Sequence, residues 1–79
     1  MKTLNVSASN QFKGKISEIK KGPINGRVMI DIGNGHILCS VMPVDAITRL
    51  DLDTGVTVYG IISSSDVMVI KEDFDRKQE

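Results

Sequence analysis

Closely spaced turn signals divide the chain into short segments, and this spacing restricts the fold more than any other feature. The breaks are Gly22-Pro23, Asn25-Gly26 and Gly33-Asn34-Gly35. Between them, apolar and polar residues alternate with a period of two, which is typical of β-strands that bury one face. A chain of 79 residues has room for one domain only. We therefore predict a single small all-β domain.

The pattern predicts three strands, one short helix and two further strands. The five predicted strands are residues 11–19, 27–32, 36–42, 57–62 and 67–70. Residues 43–50 fit a short helix, because Pro43 suits a first helical turn and Val44, Ile47 and Leu50 lie on roughly one face. Short strands with one helix suggest a small five-stranded, OB-like barrel, closed or partly closed.

Side-chain alternation gives further expectations about faces. In the third strand, Ile37, Cys39 and Val41 are predicted to share an apolar face, with Cys39 as a small buried hydrophobe. Residues 67–70 are apolar on both faces, which is consistent either with a subunit interface or with a central strand beneath the helix. Residues 1–70 are predicted to form the domain, and the charged residues 71–79 a flexible tail.

Composition argues against several classes of partner. Ten basic residues balance ten acidic ones, and a chain without basic excess is poorly suited to nucleic acid or anionic membranes. It has only two Phe and one Tyr for base stacking. The first ten residues resemble no signal peptide, no apolar run could span a membrane, and one Cys forms no internal disulfide. We expect a soluble, cytoplasmic protein.

Residues suited to catalysis are sparse. His36 stands alone beside a turn, and Asp45, Asp51 and Asp53 match no known metal-binding loop. The Gly33-Asn34-Gly35 run is too short for a nucleotide-binding fingerprint. The sequence therefore predicts no enzyme, no catalytic cofactor and no cation held directly by protein ligands.

Two runs of small polar residues precede the first and last predicted strands. They are Ser7-Ala8-Ser9-Asn10 and Ser63-Ser64-Ser65. Hydroxyls together with successive backbone N–H groups can hold an oxyanion, and small side chains let the backbone come close. The alternative is that both runs only cap turns, and composition alone favours that alternative.

The chain resembles the molbindins, the small Mop proteins that consist of a single TOBE domain. The matching residues are Ser7, Asn10, Gln11, Gly14, Lys15, Ile16, Gly22, Asn25, Val58, Tyr59, Val67, Met68 and Val69. The resemblance implies non-enzymatic molybdate or tungstate binding for storage or homeostasis, at sites between subunits. It also implies a homo-hexamer, built as a trimer of dimers with an exchanged N-terminal strand that would include Leu4 and Val6. The implied oxyanion site comprises Ser7, Ala8, Ser9, Asn10, Ser63, Ser64 and Ser65, and a second site would involve Ile24 and Asn25.

The chain departs from the family pattern at the residues that would supply positive charge. Ser9 stands where the family has Arg, and Ser63 stands where it has Lys. Pro43 and Ala46 stand where further hydroxyl donors are common. Loss of two cations removes the strongest long-range attraction for a dianion. We therefore expect weaker or altered anion binding, or, alternatively, an oligomeric scaffold of the same fold that has lost the anion.

Overall fold

The structure is a computed structural model, and it describes residues 10–72. Within these residues, four strands form one antiparallel sheet in the order β3-β2-β1-β4. The elements are β1 (Asn10–Lys21), β2 (Asn25–Gly33), β3 (His36–Pro43), α1 (Val44–Arg49), β4 (Thr57–Ile62) and a short 3-10 turn (Ser64–Asp66). The predicted all-β fold with one short helix is confirmed. No helix of the described part has the length and apolar character to cross a membrane.

Strand β1 is the centre of the sheet, because its two halves pair with different partners. Its first half pairs with β4, from Asn10 opposite Ile62 to Lys15 opposite Thr57. From Lys15 onward it pairs with β2, and the register shifts between Ile16 and Glu18. Such a bulge bends a strand and increases its twist. The sheet consequently curls, and β3 and β4 come to face each other over a common core.

The core is small and lies on the concave side of the curled sheet. Ile16, Val28, Ile30 and Ile47 are its buried members. Gly14 lets β1 and β2 approach closely, since a Cβ there would overlap the Asp31 carbonyl oxygen and lie 2.9 Å from Ile30 Cγ2. Partly buried side chains surround these residues: Ile19, Ile32, Leu38, Met42, Leu52 and Val58.

The hairpin between β2 and β3 forms where the glycine-rich run predicts it. Gly33, Asn34 and Gly35 have φ values of +98°, +55° and +79°, a region that glycine and asparagine tolerate best. The Gly33 N–H donates to the Asp31 carboxylate over 2.9 Å. The turn chemistry of this stretch therefore fixes the hairpin.

Helix α1 closes one end of the core. Pro43 precedes its first turn with φ −61°, and the Val44 N–H donates to the Ile24 carbonyl oxygen over 2.8 Å. Ile47 is only 1% exposed. Leu50, predicted on the same face, is instead exposed, because the helix ends at Arg49 and the chain turns at Asp51, which has φ +57°.

The prediction of which β3 side chains point into the core is wrong. Cys39 is exposed, and so are Ile37 and Val41. Leu38 pairs with the inward-facing Ile30, and residues directly opposite each other share a face of the sheet. The alternation of β3 is therefore shifted by one residue from the prediction, and Cys39 is not a core residue.

The predicted fifth strand is also wrong for the described chain. Residues 67–70 form no strand, and Met68, Val69 and Ile70 are 90%, 91% and 93% exposed. A strand needs a partner edge, and the 3-10 turn at Ser64–Asp66 directs this segment away from the sheet. The predicted N-terminal strand, with Leu4 and Val6, lies outside the described residues.

Replacing Ile47 with alanine should destabilise the domain by about 2–5 kcal/mol, because the cavity would open in a core of few members. Thr48→Ala is the matched control, since Thr48 is exposed on the same helix and its replacement should change stability by less than about 0.5 kcal/mol. Urea unfolding of both variants measures the difference. Equal stability of the two variants would contradict the assignment of Ile47 to the core.

Candidate functional site

One corner of the sheet brings together parts of the two hydroxyl runs. Asn10, the first residue of β1, pairs with Ile62, the last residue of β4. The chain therefore enters β1 at the corner where it leaves β4 for Ser63. Asn10 is half-buried there, and Ser63, Ser64 and Ser65 are exposed. Ser7, Ala8 and Ser9 lie outside the described residues.

The serines of this corner form a compact turn. The Ser63 hydroxyl accepts from the Ser65 N–H over 3.4 Å, and the Oγ atoms of these two residues lie 3.0 Å apart. The Asp66 N–H donates to the Ser63 carbonyl oxygen over 2.9 Å. Capping is therefore a real role of Ser63. Within residues 10–72 the Ser64 hydroxyl forms no hydrogen bond, so it can donate to a ligand.

The charge at this corner is unfavourable for an anion. Asp66 belongs to the turn itself, and residues 50–70 contain no Lys or Arg. Lys13 on β1 pairs opposite Tyr59, three positions from the end of β4. An anion held here would depend on hydroxyls and backbone N–H groups, whose dipoles act over short distances.

A second concave surface, which we call the basic groove, lies at the turn between β1 and β2. It has a volume of about 360 Å³. Lys20 and Arg27 are direct cross-strand neighbours, and the only ion pair in the described chain is between Lys20 Nζ and Glu18 Oε2, at 3.7 Å. The residues that line the groove are Lys20, Lys21, Gly22, Asn25, Gly26, Arg27 and Val41.

The basic groove contains one of the two residues predicted for a second site. Asn25 lines it, whereas Ile24 lies beside it with its side chain 74% exposed and its carbonyl bonded to Val44. Sequence reasoning missed the contribution of Arg27. The signal was the antiparallel register across the turn, which places Arg27 opposite Lys20 and so adds a third cation to Lys20 and Lys21 in the groove.

The residues considered for catalysis or metal binding do not come together in the described part of the chain. Among the described residues, no group of three or more His, Cys, Asp or Glu side chains is arranged to hold a metal ion. His36 follows the Gly33–Gly35 turn and is exposed. The serine corner and the basic groove are thus where polar or charged groups of the described residues converge.

A comparison with known families agrees with this fold. The model of the TOBE domain matches residues 6–69. The chain belongs to the TOBE domain family. The probable molybdenum-pterin-binding protein of Haemophilus influenzae is 42% identical over 66 residues, covering 84% of this chain and 96% of that protein. Molybdenum-pterin-binding protein 1 of Clostridium pasteurianum is 34% identical over 67 residues, covering 85% of this chain and 98% of that protein.

Solved structures of the same kind share the fold. MopII from Clostridium pasteurianum matches with a TM-score of 0.78 and 31% identity, over 85% of this chain and 100% of that one. A molybdate-binding protein from Sporomusa ovata matches with a TM-score of 0.79 and 25% identity, over 86% of this chain and 100% of that one. ModG, a cytoplasmic molybdate-binding protein in a molybdate-bound form, matches with a TM-score of 0.78 and 26% identity. The match covers 82% of this TOBE domain chain and 46% of ModG. The predicted resemblance to the Mop proteins is confirmed.

Proposed function

We propose that this TOBE domain chain binds molybdate or tungstate reversibly, without catalysis, in cytoplasmic storage or homeostasis. The observation that carries the proposal is likeness over nearly the whole chain to small proteins named for binding molybdenum-pterin or molybdate. These relatives are named as binding proteins and not as enzymes. The cytoplasmic location is supported by ModG, which is described as cytoplasmic.

The proposed oxyanion site is the corner at the ends of β1 and β4. Asn10 and the turn Ser63–Ser65 would supply hydroxyl, amide and backbone donors, joined by Ser7, Ala8 and Ser9. Hydrogen bonds to an ionised acceptor are stronger than neutral ones, and excluding water strengthens them further. The corner is exposed in the single chain, so a second copy would have to cover it. We therefore place this site at a subunit interface.

The proposed assembly is a homo-hexamer, a trimer of dimers with an exchanged N-terminal strand. Exposed apolar side chains support contacts between copies, since Ile37 and Val41 form an apolar row on the outside of β3. Large exposed apolar patches on small domains mark interaction surfaces. Light scattering of the full chain measures the assembly, and a lone subunit would contradict the interface site.

The basic groove is the proposed second oxyanion site. Asn25 lies between Lys20 and Arg27 in the chain and lines the same groove as both. Lys20 and Arg27 lie directly opposite each other and repel. Glu18 offsets part of the charge of Lys20, and a bound dianion would relieve the repulsion that remains. This surface would supply the positive charge that Ser9 and Ser63 do not.

A specific observation favours a second candidate function, an oligomeric scaffold that no longer binds an anion. Asp66 places a negative charge in the serine turn, and residues 50–70 carry no compensating cation. Calorimetry of the full chain against molybdate, tungstate, sulfate and phosphate separates the two functions. Binding of molybdate or tungstate supports the oxyanion protein, and absence of heat with all four supports the scaffold.

Replacing both Ser7 and Ser64 with alanine should weaken tungstate binding at least about ten-fold, since each lost charge-assisted hydrogen bond costs about 1.5–3 kcal/mol. Calorimetric titration measures the change. Thr48→Ala, on the exposed side of α1, should bind as the unchanged protein does. An unaltered titration of the double variant would reject the corner as the site.

Replacing Asp66 with asparagine should tighten oxyanion binding at the corner by about two- to ten-fold, because a like charge would be removed near the dianion. The gain should shrink as salt is raised, since exposed charges are screened. Asp45→Asn is the matched control, because Asp45 lies in α1. Equal gains in both variants would indicate an effect of net charge alone.

Replacing Arg27 with glutamine should weaken binding at the basic groove by about three- to ten-fold at low salt. Amide chemical shifts of Asn25 and Gly26 during a molybdate titration report this groove separately from the corner. Arg49→Gln, at the end of α1, controls for net charge. If the amides of the groove do not respond in the unchanged protein, the second site is excluded.

A further inference from the structure

The basic groove leaves two of its three cations without a counter-charge. Lys20 Nζ lies 3.7 Å from Glu18 Oε2, whereas Lys21 and Arg27 form no ion pair within residues 10–72. The side chains of all three cations are exposed. A concave surface lined by charges of one sign attracts groups of the opposite sign. The groove therefore has the charge to hold a segment that carries carboxylates.

The basic groove also has an apolar wall. Val41 lines it, lies directly opposite Arg27 in the sheet and is 64% exposed. A small inorganic anion would leave this side chain in contact with water. An aromatic ring would cover Val41 and present its face to the Arg27 guanidinium, which is a favourable cation–π arrangement. The groove thus suits a ligand that combines carboxylates with an aromatic ring.

The chain itself carries such a ligand beyond the part that matches the family. The match to the TOBE domain model ends at residue 69. Three acids and one aromatic residue follow within four positions, Glu72-Asp73-Phe74-Asp75, and we call these four residues the acidic segment. Glu72 is exposed, and residues 73–79 lie outside the described residues. The acidic segment matches the groove in both charge and apolar content.

The chain between the serine turn and the acidic segment is long enough to reach the groove. The serine turn lies where β1 begins, and the groove lies where β1 ends. A straight strand would cover about 33 Å from Asn10 to Lys20, and the bend of β1 shortens this distance. The nine residues from Asp66 to Asp75 span up to about 30 Å when extended, and long cationic side chains extend toward them. Residues 67–72 pair with no strand, so no backbone pairing holds them elsewhere.

We propose that the acidic segment docks in the basic groove of its own chain and competes there with oxyanions. Its carboxylates pair with Lys21 and Arg27, and Phe74 covers Val41. A tethered segment acts at an effective concentration on the order of millimolar, so weak contacts are enough to keep the groove occupied. The docking rests on the groove and the sequence alone, whereas the competition rests on the proposed function of the groove as a second oxyanion site.

A first experiment detects the docking in the absence of added oxyanions. The chain contains no Trp, so Phe74→Trp in the full chain provides a single fluorescent reporter. Its emission should lie at shorter wavelength at low salt than at high salt, and acrylamide should quench it at least about three-fold less, because salt screens exposed charges. Adding Asp73→Asn and Asp75→Asn, the neutralised variant, should abolish this protection. Emission of a fully solvated Trp at low salt would overturn the docking.

A second set of variants tests whether the groove is the docking site. The groove variant carries Lys21→Gln and Arg27→Gln beside the reporter, and it should lose the protection at low salt. Lys13→Gln with Arg49→Gln removes the same charge outside the groove and should keep it. Circular dichroism verifies that both variants are folded. Protection that persists in the groove variant places the acidic segment elsewhere and overturns the proposal.

Mixed refolding separates docking within one chain from docking on a neighbouring copy. The groove variant with its reporter is refolded with an excess of unchanged chain, which contains no Trp. If each acidic segment uses the groove of its own chain, the reporter stays solvated in the mixture. Regained protection would show capture by the intact groove of another copy and would overturn docking within one chain.

The competition is measured by titrating molybdate and following the amide shifts of Asn25 and Gly26. The neutralised variant, here with its natural Phe74, should bind molybdate at the groove about two- to ten-fold more tightly than the unchanged chain, because a tethered competitor has been removed. Asp45→Asn with Glu79→Gln removes the same charge elsewhere and is the matched control.

The outcomes distinguish the docking from the proposed function. Equal gains in the neutralised variant and its control would reduce the effect to net charge and overturn the competition. Groove amides that respond to molybdate in none of the chains would exclude the second oxyanion site, and the competition with it. The reporter decides the docking without any oxyanion, so that result stands or falls independently of molybdate binding.

Discussion

The fold depends on one long, bent strand that pairs with two different neighbours. β1 uses its first half for β4 and its second half for β2, with the register shift near Ser17 between them. The bend brings Ile16 inward before the bulge and Ile19 inward after it, at a spacing that a straight strand would not allow. Gly14 lets the strands approach beside the bend. Without this geometry the sheet would be flat and its few apolar residues would have nothing to enclose.

Elements with strong local chemistry could be predicted from the sequence, and elements defined by distant partners could not. The Gly33–Gly35 hairpin, the helix after Pro43 and β4 follow from turn residues and alternation. Cys39 was assigned to the wrong face because a register shift between Asp31 and Gly33 is not visible in the composition of either strand, and a slip of one residue exchanges the two faces. Residues 67–70 have strand-forming composition, but in the described chain they pair with neither of the open edges of β3 and β4.

In the candidate site, too, features set by local sequence could be predicted and features set by strand pairing could not. The sequence predicted that two hydroxyl runs would meet across a subunit boundary, which stays a prediction. Within one chain, the pairing of Asn10 with Ile62 already brings Asn10 next to the start of the serine turn. The sequence did not predict where positive charge would collect. A cross-strand pair such as Lys20 and Arg27 depends on hairpin register, and residues seven apart in the chain become neighbours only through that pairing. The structure thus separates hydrogen-bond donors at the corner from cations at the basic groove.

This separation matters for how a small dianion would be held. Hydroxyl and backbone dipoles act at contact distance and give geometric selectivity, whereas lysine and arginine act over several ångströms and raise the local anion concentration. In the single chain the serine corner is exposed and neighbours Asp66, so its donors compete with water at full strength. Donors of this kind become effective once a second surface removes that water. Apolar residues left exposed on β3 and after the serine turn would provide the driving force for such a surface to arrive, so under the proposed function ligand capture would depend on assembly.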